Sequence, residues 1–140
     1  MIKLTREEID LKICNSFIIY GLSTYEQVID QIQQELRLED GVFDVKLILT
    51  EAITNAFLHG NKGDISKPIS ILYSYDGGNI HIEVQDCGEE NKQITIPKEL
   101  SLESLMDDSG RGLYLINCFS DSVQFSKNKL IVDKNIARTN

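Results

Sequence analysis

The 140-residue sequence predicts an α+β fold: a two-layer α/β sandwich, with three helices on one face of a mostly antiparallel, mixed sheet. Three observations carry that prediction. Segments with helical spacing and segments with strict alternation follow one another in the order β-α-α-β-β-loop-α-β-β. Two pairs of strands are joined by short turns, which makes their members antiparallel neighbours. The length suits one domain, taken as residues 1–140.

The elements are justified in chain order. Ile9, Leu11 and Ile13 alternate, which predicts a first strand over 9–13. Ser23-Thr24-Tyr25-Glu26 has the form of a capping box, a hydroxyl followed three residues later by a carboxylate. Behind it Tyr25, Val28, Ile29, Ile32 and Leu36 share one helix face. Gly41 punctuates, and a second helix is expected from about Val42 to His59, with Gly60 as its stop. Ile69, Ile71, Tyr73 and Tyr75 alternate, Asp76-Gly77-Gly78-Asn79 supplies turn chemistry, and Ile80, Ile82 and Val84 alternate on the return. Residues 87–109 are polar and poorly periodic, carry six acidic residues against Lys92 and Lys98, and include Pro97. A connection of that length is usually functional or mobile. A third helix begins near Gly110–Gly112 and carries Leu113, Leu115, Ile116 and Phe119. Val123–Phe125 and Leu130–Val132 form a last hairpin around Lys127-Asn128.

Composition narrows the function. Fourteen Lys and Arg against 22 Asp and Glu leave a formal charge of −8. Such a field is unsuited to nucleic acid or an anionic membrane surface. Cys14, Cys87 and Cys118 are far apart and form no CxxC pair, and with His59 and His81 they show no zinc-ligand spacing. The N-terminal MIKLTREEID has charges where a signal peptide needs an apolar stretch. A cytoplasmic protein with reduced thiols is expected.

Three segments carry chemistry. Ile48, Leu49, Ala52, Ile53, Ala56, Phe57 and Leu58 make the second helix apolar almost all round, yet Glu51, Asn55 and His59 recur every four residues. That spacing stacks a carboxylate, an amide and an imidazole along one face. Buried polar groups need partners or a wet cavity. The alternative is an ordinary solvent face. Next, Asp86 continues the inward row of Ile80, Ile82 and Val84 at a strand end, and Gly88 follows, where a backbone can pass close to something. The alternative is a turn aspartate. Finally, Ser109-Gly110-Arg111-Gly112 opens a helix, and exposed N–H groups there suit a phosphate; the alternative is a flexible helix entry. Neither P-loop nor Rossmann spacing is present.

Taken together, EAITNAFLHGN, Asp86-Cys87-Gly88 and Gly110-Arg111-Gly112-Leu113 resemble the N box, D-x-G box and glycine box of the Bergerat-fold (GHKL) ATPases. The string TEAITNAFLHG is most similar to the bacterial anti-sigma factor serine-protein kinases. The resemblance implies ATP and Mg²⁺ as cofactors. It implies Glu51 as general base on the attacking hydroxyl and Asn55 as Mg²⁺ ligand. Asp86 would accept from the adenine amino group, Gly88 would let the backbone pass the base, and Gly110 and Gly112 would cradle phosphates. His59, Arg111 and Leu113 fall within the same boxes, His59 to cap and orient the helix end and Arg111 to touch a phosphate. Residues at about 87–109 correspond to a mobile lid. The implied activity is transfer of the ATP γ-phosphate to a Ser or Thr of an antagonist protein, together with sequestration of a sigma factor. A homodimer is compatible with the resemblance. The alternative is a non-catalytic ATP-sensing regulatory module. Two departures stand out: Glu90 lies where members often carry a second glycine, and Ser126-Lys127-Asn128-Lys129 lacks the Gly-Thr that often supports the adenine pocket.

Overall fold

The computed structural model describes residues 12–90, 94–99 and 108–136. Its elements are β1 (Ile13–Tyr20), α1 (Tyr25–Leu36), α2 (Val42–Asn55), a π-helical turn (Ala56–Gly60), β2 (Pro68–Asp76), β3 (Asn79–Gln85), α3 (Asp108–Phe119), β4 (Ser122–Ser126) and β5 (Lys129–Asn135). The five strands form one sheet in the order β1-β2-β3-β5-β4. Every pairing is antiparallel, so the mixed character expected of the sheet has no parallel pair among the described strands.

Alternation decides which face is covered. Ile69, Ile71, Tyr73 and Tyr75 of β2 are buried, as are Ile80, Ile82 and Val84 of β3 and Leu130 and Val132 of β5. They meet Ile29, Ile32 and Leu36 of α1, Val45, Ile48, Leu49, Ala52 and Ile53 of α2, and Leu113 and Ile116 of α3 in one core. The opposite sheet face is more open: Ile18 is 64% and Tyr20 57% exposed. The Asp76↔Asn79 pair closes the β2–β3 hairpin over Gly77 and Gly78, with φ of 58° and 87°. Both values lie in the left-handed region that such two-residue turns require and glycine adopts freely.

Two boundaries differ from expectation. The first strand runs from Ile13 to Tyr20, and the predicted start at Ile9 lies outside the described residues. Asn15 and Ser16 interrupt the apolar alternation and hide the strand, yet the register with β2 continues through them as Asn15↔Tyr73 and Ser16↔Leu72. The capping box does not form. Thr24, not Ser23, takes the cap position, with φ −117°, ψ 2° and no side-chain bond. Glu26 therefore falls one residue too early to reach back, and a ψ near zero lies outside the extended region from which a cap side chain works.

Polar ties hold the layers in place. Lys134 Nζ donates to the carbonyl of Phe119, the last residue of α3, at 2.6 Å and pairs with Asp44 in the first turn of α2 at 3.4 Å. A cation at one helix C-terminus thus also meets an acid near another helix N-terminus, and both macrodipoles favour it. Under α1, Tyr73 Oη donates to Glu35, and burial together with that carboxylate raises the phenol pKa. On the open face, His81 lies between Asp133 (Nδ1, 2.9 Å) and Glu83 (Nε2, 2.8 Å), and Lys129 pairs with Glu83 at 3.0 Å. Two carboxylates on the two ring nitrogens require both nitrogens to donate, which only the imidazolium does. Partial burial pulls the His81 pKa down, but the bonds to Glu83 and Asp133 outweigh it and raise it.

Candidate functional site

The site lies where α2, its π-turn, the end of β3 and the start of α3 converge. Glu51 and Asn55 are one turn apart on α2, hence on the same face, and both are half-buried. This face is not a solvent face: α3 packs on it at Gly112. A Cβ on Gly112 would lie 2.8 Å from Glu51 Oε2, so the missing side chain makes room for the carboxylate. Asn55 Oδ1 is buried with no hydrogen-bond partner among the described residues. Leaving a buried acceptor unmet costs about 1–3 kcal/mol, so such an atom calls for a ligand. An amide oxygen is a hard donor of the kind Mg²⁺ accepts, and Asn55 fits that role.

The four-residue repeat ends at Asn55. From Ala56 the chain follows π geometry, with Asn61 N–H donating to Ala56 O at 2.8 Å. His59 sits inside this turn and does not continue the stripe by α-helical spacing. Single π-turns at the ends of α-helices often mark functional sites. Here the turn delivers Gly60 against Asp86: a Cβ on Gly60 would stand 2.0 Å from Asp86 Oδ2 and 2.2 Å from its Cγ. Only glycine permits that contact.

The Asp86-Cys87-Gly88 segment is held on all sides. Asp86 Oδ1 accepts the Gly88 N–H at 2.7 Å. The Cys87 N–H donates to Asn61 Oδ1 at 2.7 Å. Asn61 is fully buried, and its amide nitrogen donates to the carbonyls of Lys67 and Pro68, each at 3.2 Å. From the far side Asn128 Nδ2 donates to Asp86 O at 2.6 Å, and Asn128 O accepts the Asp86 N–H at 3.1 Å. A Cβ on Gly88 would come within 2.8 Å of Gly60 O, so the two glycines let the segments touch.

The glycine box is placed differently from the sequence reading. α3 begins at Asp108, two residues before the expected start. Gly110 is its third residue, within the turn whose N–H groups lack intrahelical partners; Gly112 is the fifth and lies beyond it. Gly112 also leaves space for Glu51. Leu113 is a core residue at 2% exposure, and Arg111 is exposed. Of the expected lid, residues 91–93 and 100–107 lie outside the described residues. Of its described part, Ile94 packs against the core. Asn61 and Asn128 were not among the expected site residues. Asn61 directly follows the His-Gly pair, and Asn128 reads in the sequence as turn chemistry alone.

The family model of the histidine kinase-like ATPase domain matches residues 22–134. The chain belongs to this family. As a histidine kinase-like ATPase domain it is a binder of ATP, and the boxes read from the sequence fall within the matched span. Among similar proteins are the anti-sigma F factor of Anoxybacillus flavithermus, 28% identical over 86 residues, which are 60% of this chain and 59% of that protein. The serine-protein kinase RsbW of Listeria innocua is 31% identical over 91 residues, 61% of this chain and 58% of that protein. An anti-sigma F factor of Clostridium perfringens is 32% identical over 88 residues, 61% and 63% of the two chains. The chain thus spans about three-fifths of the length of the curated relatives it matches. Among the described residues, no helix is long and apolar enough to cross a membrane.

Proposed function

We propose that this ATPase domain is an ATP- and Mg²⁺-dependent serine/threonine-protein kinase of the anti-sigma type, working in the cytoplasm on an antagonist protein and holding a sigma factor in the alternative state. The observation that carries this reading is the pairing, one helical turn apart, of Glu51 with a buried Asn55 oxygen that has no partner among the described residues. Asn55 would hold the metal ion, which supplies charge neutralisation between the phosphates. Glu51 acts as general base on the substrate hydroxyl: its carboxylate takes the proton as the hydroxyl oxygen bonds to the γ-phosphorus and the β–γ bridging bond breaks to release ADP. Gly112 gives Glu51 the space to stand there. Gly110 presents its backbone to the phosphates at the start of α3, with Arg111 beside it. Asp86 and Gly88 receive the adenine.

Calorimetry with Mg-ATP, followed by γ-phosphate transfer from labelled ATP to candidate antagonist proteins, tests the reading. Tight binding and transfer that both need Mg²⁺ are expected. Binding with no transfer to any antagonist would favour the non-catalytic sensing module, and absence of ATP binding would overturn both.

A further inference from the structure

We propose that Asn128, seconded by Asn61, is a positioning residue for nucleobase recognition, fixing the Asp86 segment so that its carboxylate selects a purine bearing an amino group. The inference rests on the ATP-binding reading above and goes beyond it to the origin of base selectivity.

A carboxylate discriminates an amino from a keto purine only when held, because the same oxygen on a swinging side chain finds other donors or water. The structure holds this one through its main chain. Asn128 grips Asp86 at both ends of the residue: its side-chain amide donates to Asp86 O at 2.6 Å, and its own carbonyl accepts the Asp86 N–H at 3.1 Å. Asn128 is itself steadied by Gln85 Nε2, which donates to its Oδ1 at 3.2 Å. Asn61 holds the next residue through Cys87 N–H. The Gly88 N–H then turns back onto Asp86 Oδ1. Three successive N–H groups and one carbonyl are thereby satisfied, and Gly60 closes against the second carboxylate oxygen. The β4–β5 turn and the loop after the π-turn clamp the segment from opposite sides. Lys127, at φ 59°, is the turn residue that brings Asn128 into place.

The two asparagines differ as tools. Asn61 is fully buried, and replacing it endangers the fold. Asn128 is half-buried in a hairpin turn and carries the test. Asn128→Asp keeps size and the acceptor toward Gln85 but removes the N–H toward Asp86 O; Asn128→Ala removes both. The full chain and these variants are titrated with Mg-ATP, Mg-GTP and Mg-tripolyphosphate, with melting curves recorded alongside. Both variants should bind ATP roughly 2- to 12-fold more weakly, the range for losing one hydrogen bond. Their ATP:GTP preference should fall toward one, while tripolyphosphate affinity and melting temperature stay near those of the unaltered chain. An Asn128→Asp variant with unchanged ATP:GTP preference would overturn the inference, as would parallel loss of ATP and tripolyphosphate. If the unaltered chain binds tripolyphosphate and ATP equally well, or neither, it is the functional reading itself that fails.

Discussion

At the end of the site proposed for the base, each main-chain N–H from Asp86 to Gly88 already has an acceptor inside the protein. At the end proposed for the phosphates, the Asn55 oxygen is buried without a partner among the described residues. The glycines repeat the contrast. A Cβ on Gly60 would come within 2.7 Å of Asp86 Cβ, close to its main chain, whereas a Cβ on Gly112 would crowd Glu51 only at its carboxylate oxygen, at 2.8 Å. The base end is completed by folding, and the phosphate end is left for the ligand to complete. The π-turn joins the two ends.

The sharpest way to break this contrast is at the phosphate end. Glu51→Ala should lower phosphoryl transfer by about 10²–10⁴-fold while ATP binding persists, measured by labelled transfer and calorimetry on one sample. Asn55→Ala should instead remove the Mg²⁺ dependence of binding. At the base end, Asp86→Asn should weaken ATP by about 10- to 150-fold, the worth of a hydrogen bond to a charged group, with the fold intact. Unchanged ATP affinity would remove Asp86 from base recognition.

The glycines sharpen the comparison at lower amplitude. Gly60→Ala must displace Asp86 as a whole, so it should cost about 1–3 kcal/mol of stability and weaken ATP binding together. Gly112→Ala needs only the Glu51 carboxylate to swing aside. An alanine also favours a helix by about 0.5–1 kcal/mol over glycine. Its melting temperature should therefore hold or rise while transfer falls. Equal melting losses in both variants would erase the distinction.

The smallest effect lies away from the pocket, at His81. Its pKa is raised, so its contribution is full below the ordinary histidine value and is lost as pH rises through the shifted one. Burial pushes the Asp133 pKa up, but the bonds from His81 and Asn79 together with the His81 charge outweigh it and lower it; His81 and Lys129 lower that of Glu83. The carboxylate contributions are present above their ordinary values and are lost as pH falls through the lowered ones. The cluster thus stabilises most between the carboxylate range and about pH 6.5. Raising pH from 6 to 8.5 should lower the melting temperature by roughly 2 °C more in the unaltered chain than in His81→Gln, consistent with about 0.5 kcal/mol for a part-exposed pair.

The layer order, both hairpins and all three helices were legible because each rests on periodicity and turn chemistry, which are local. The β2 and β3 rows face the core as their alternation required. What was hidden depends on neighbours. Asn15 and Ser16 mask a strand that its partner imposes. The π-turn leaves no periodic trace, because one extra residue per turn looks like ordinary helix in a five-residue segment. Asp86, Glu51 and Asn55 announced themselves as polar residues in apolar surroundings. Asn61 and Asn128 did not, since an asparagine beside a glycine or in a turn has a sufficient local explanation. The space that Gly112 leaves for Glu51 is a relation between two helices that no single segment records.

The engaged amides of the Asp86 segment carry a consequence for isotope exchange. Because Asp86, Cys87 and Gly88 already donate internally, their deuterium uptake should be slow before any nucleotide arrives and should change little afterward. A nucleotide-induced slowing of exchange is then expected elsewhere, first in the opening turn of α3, where the proposed function puts the phosphates. Peptide-level exchange would therefore register phosphate capture while remaining nearly blind to base capture, even though both are proposed for the same site.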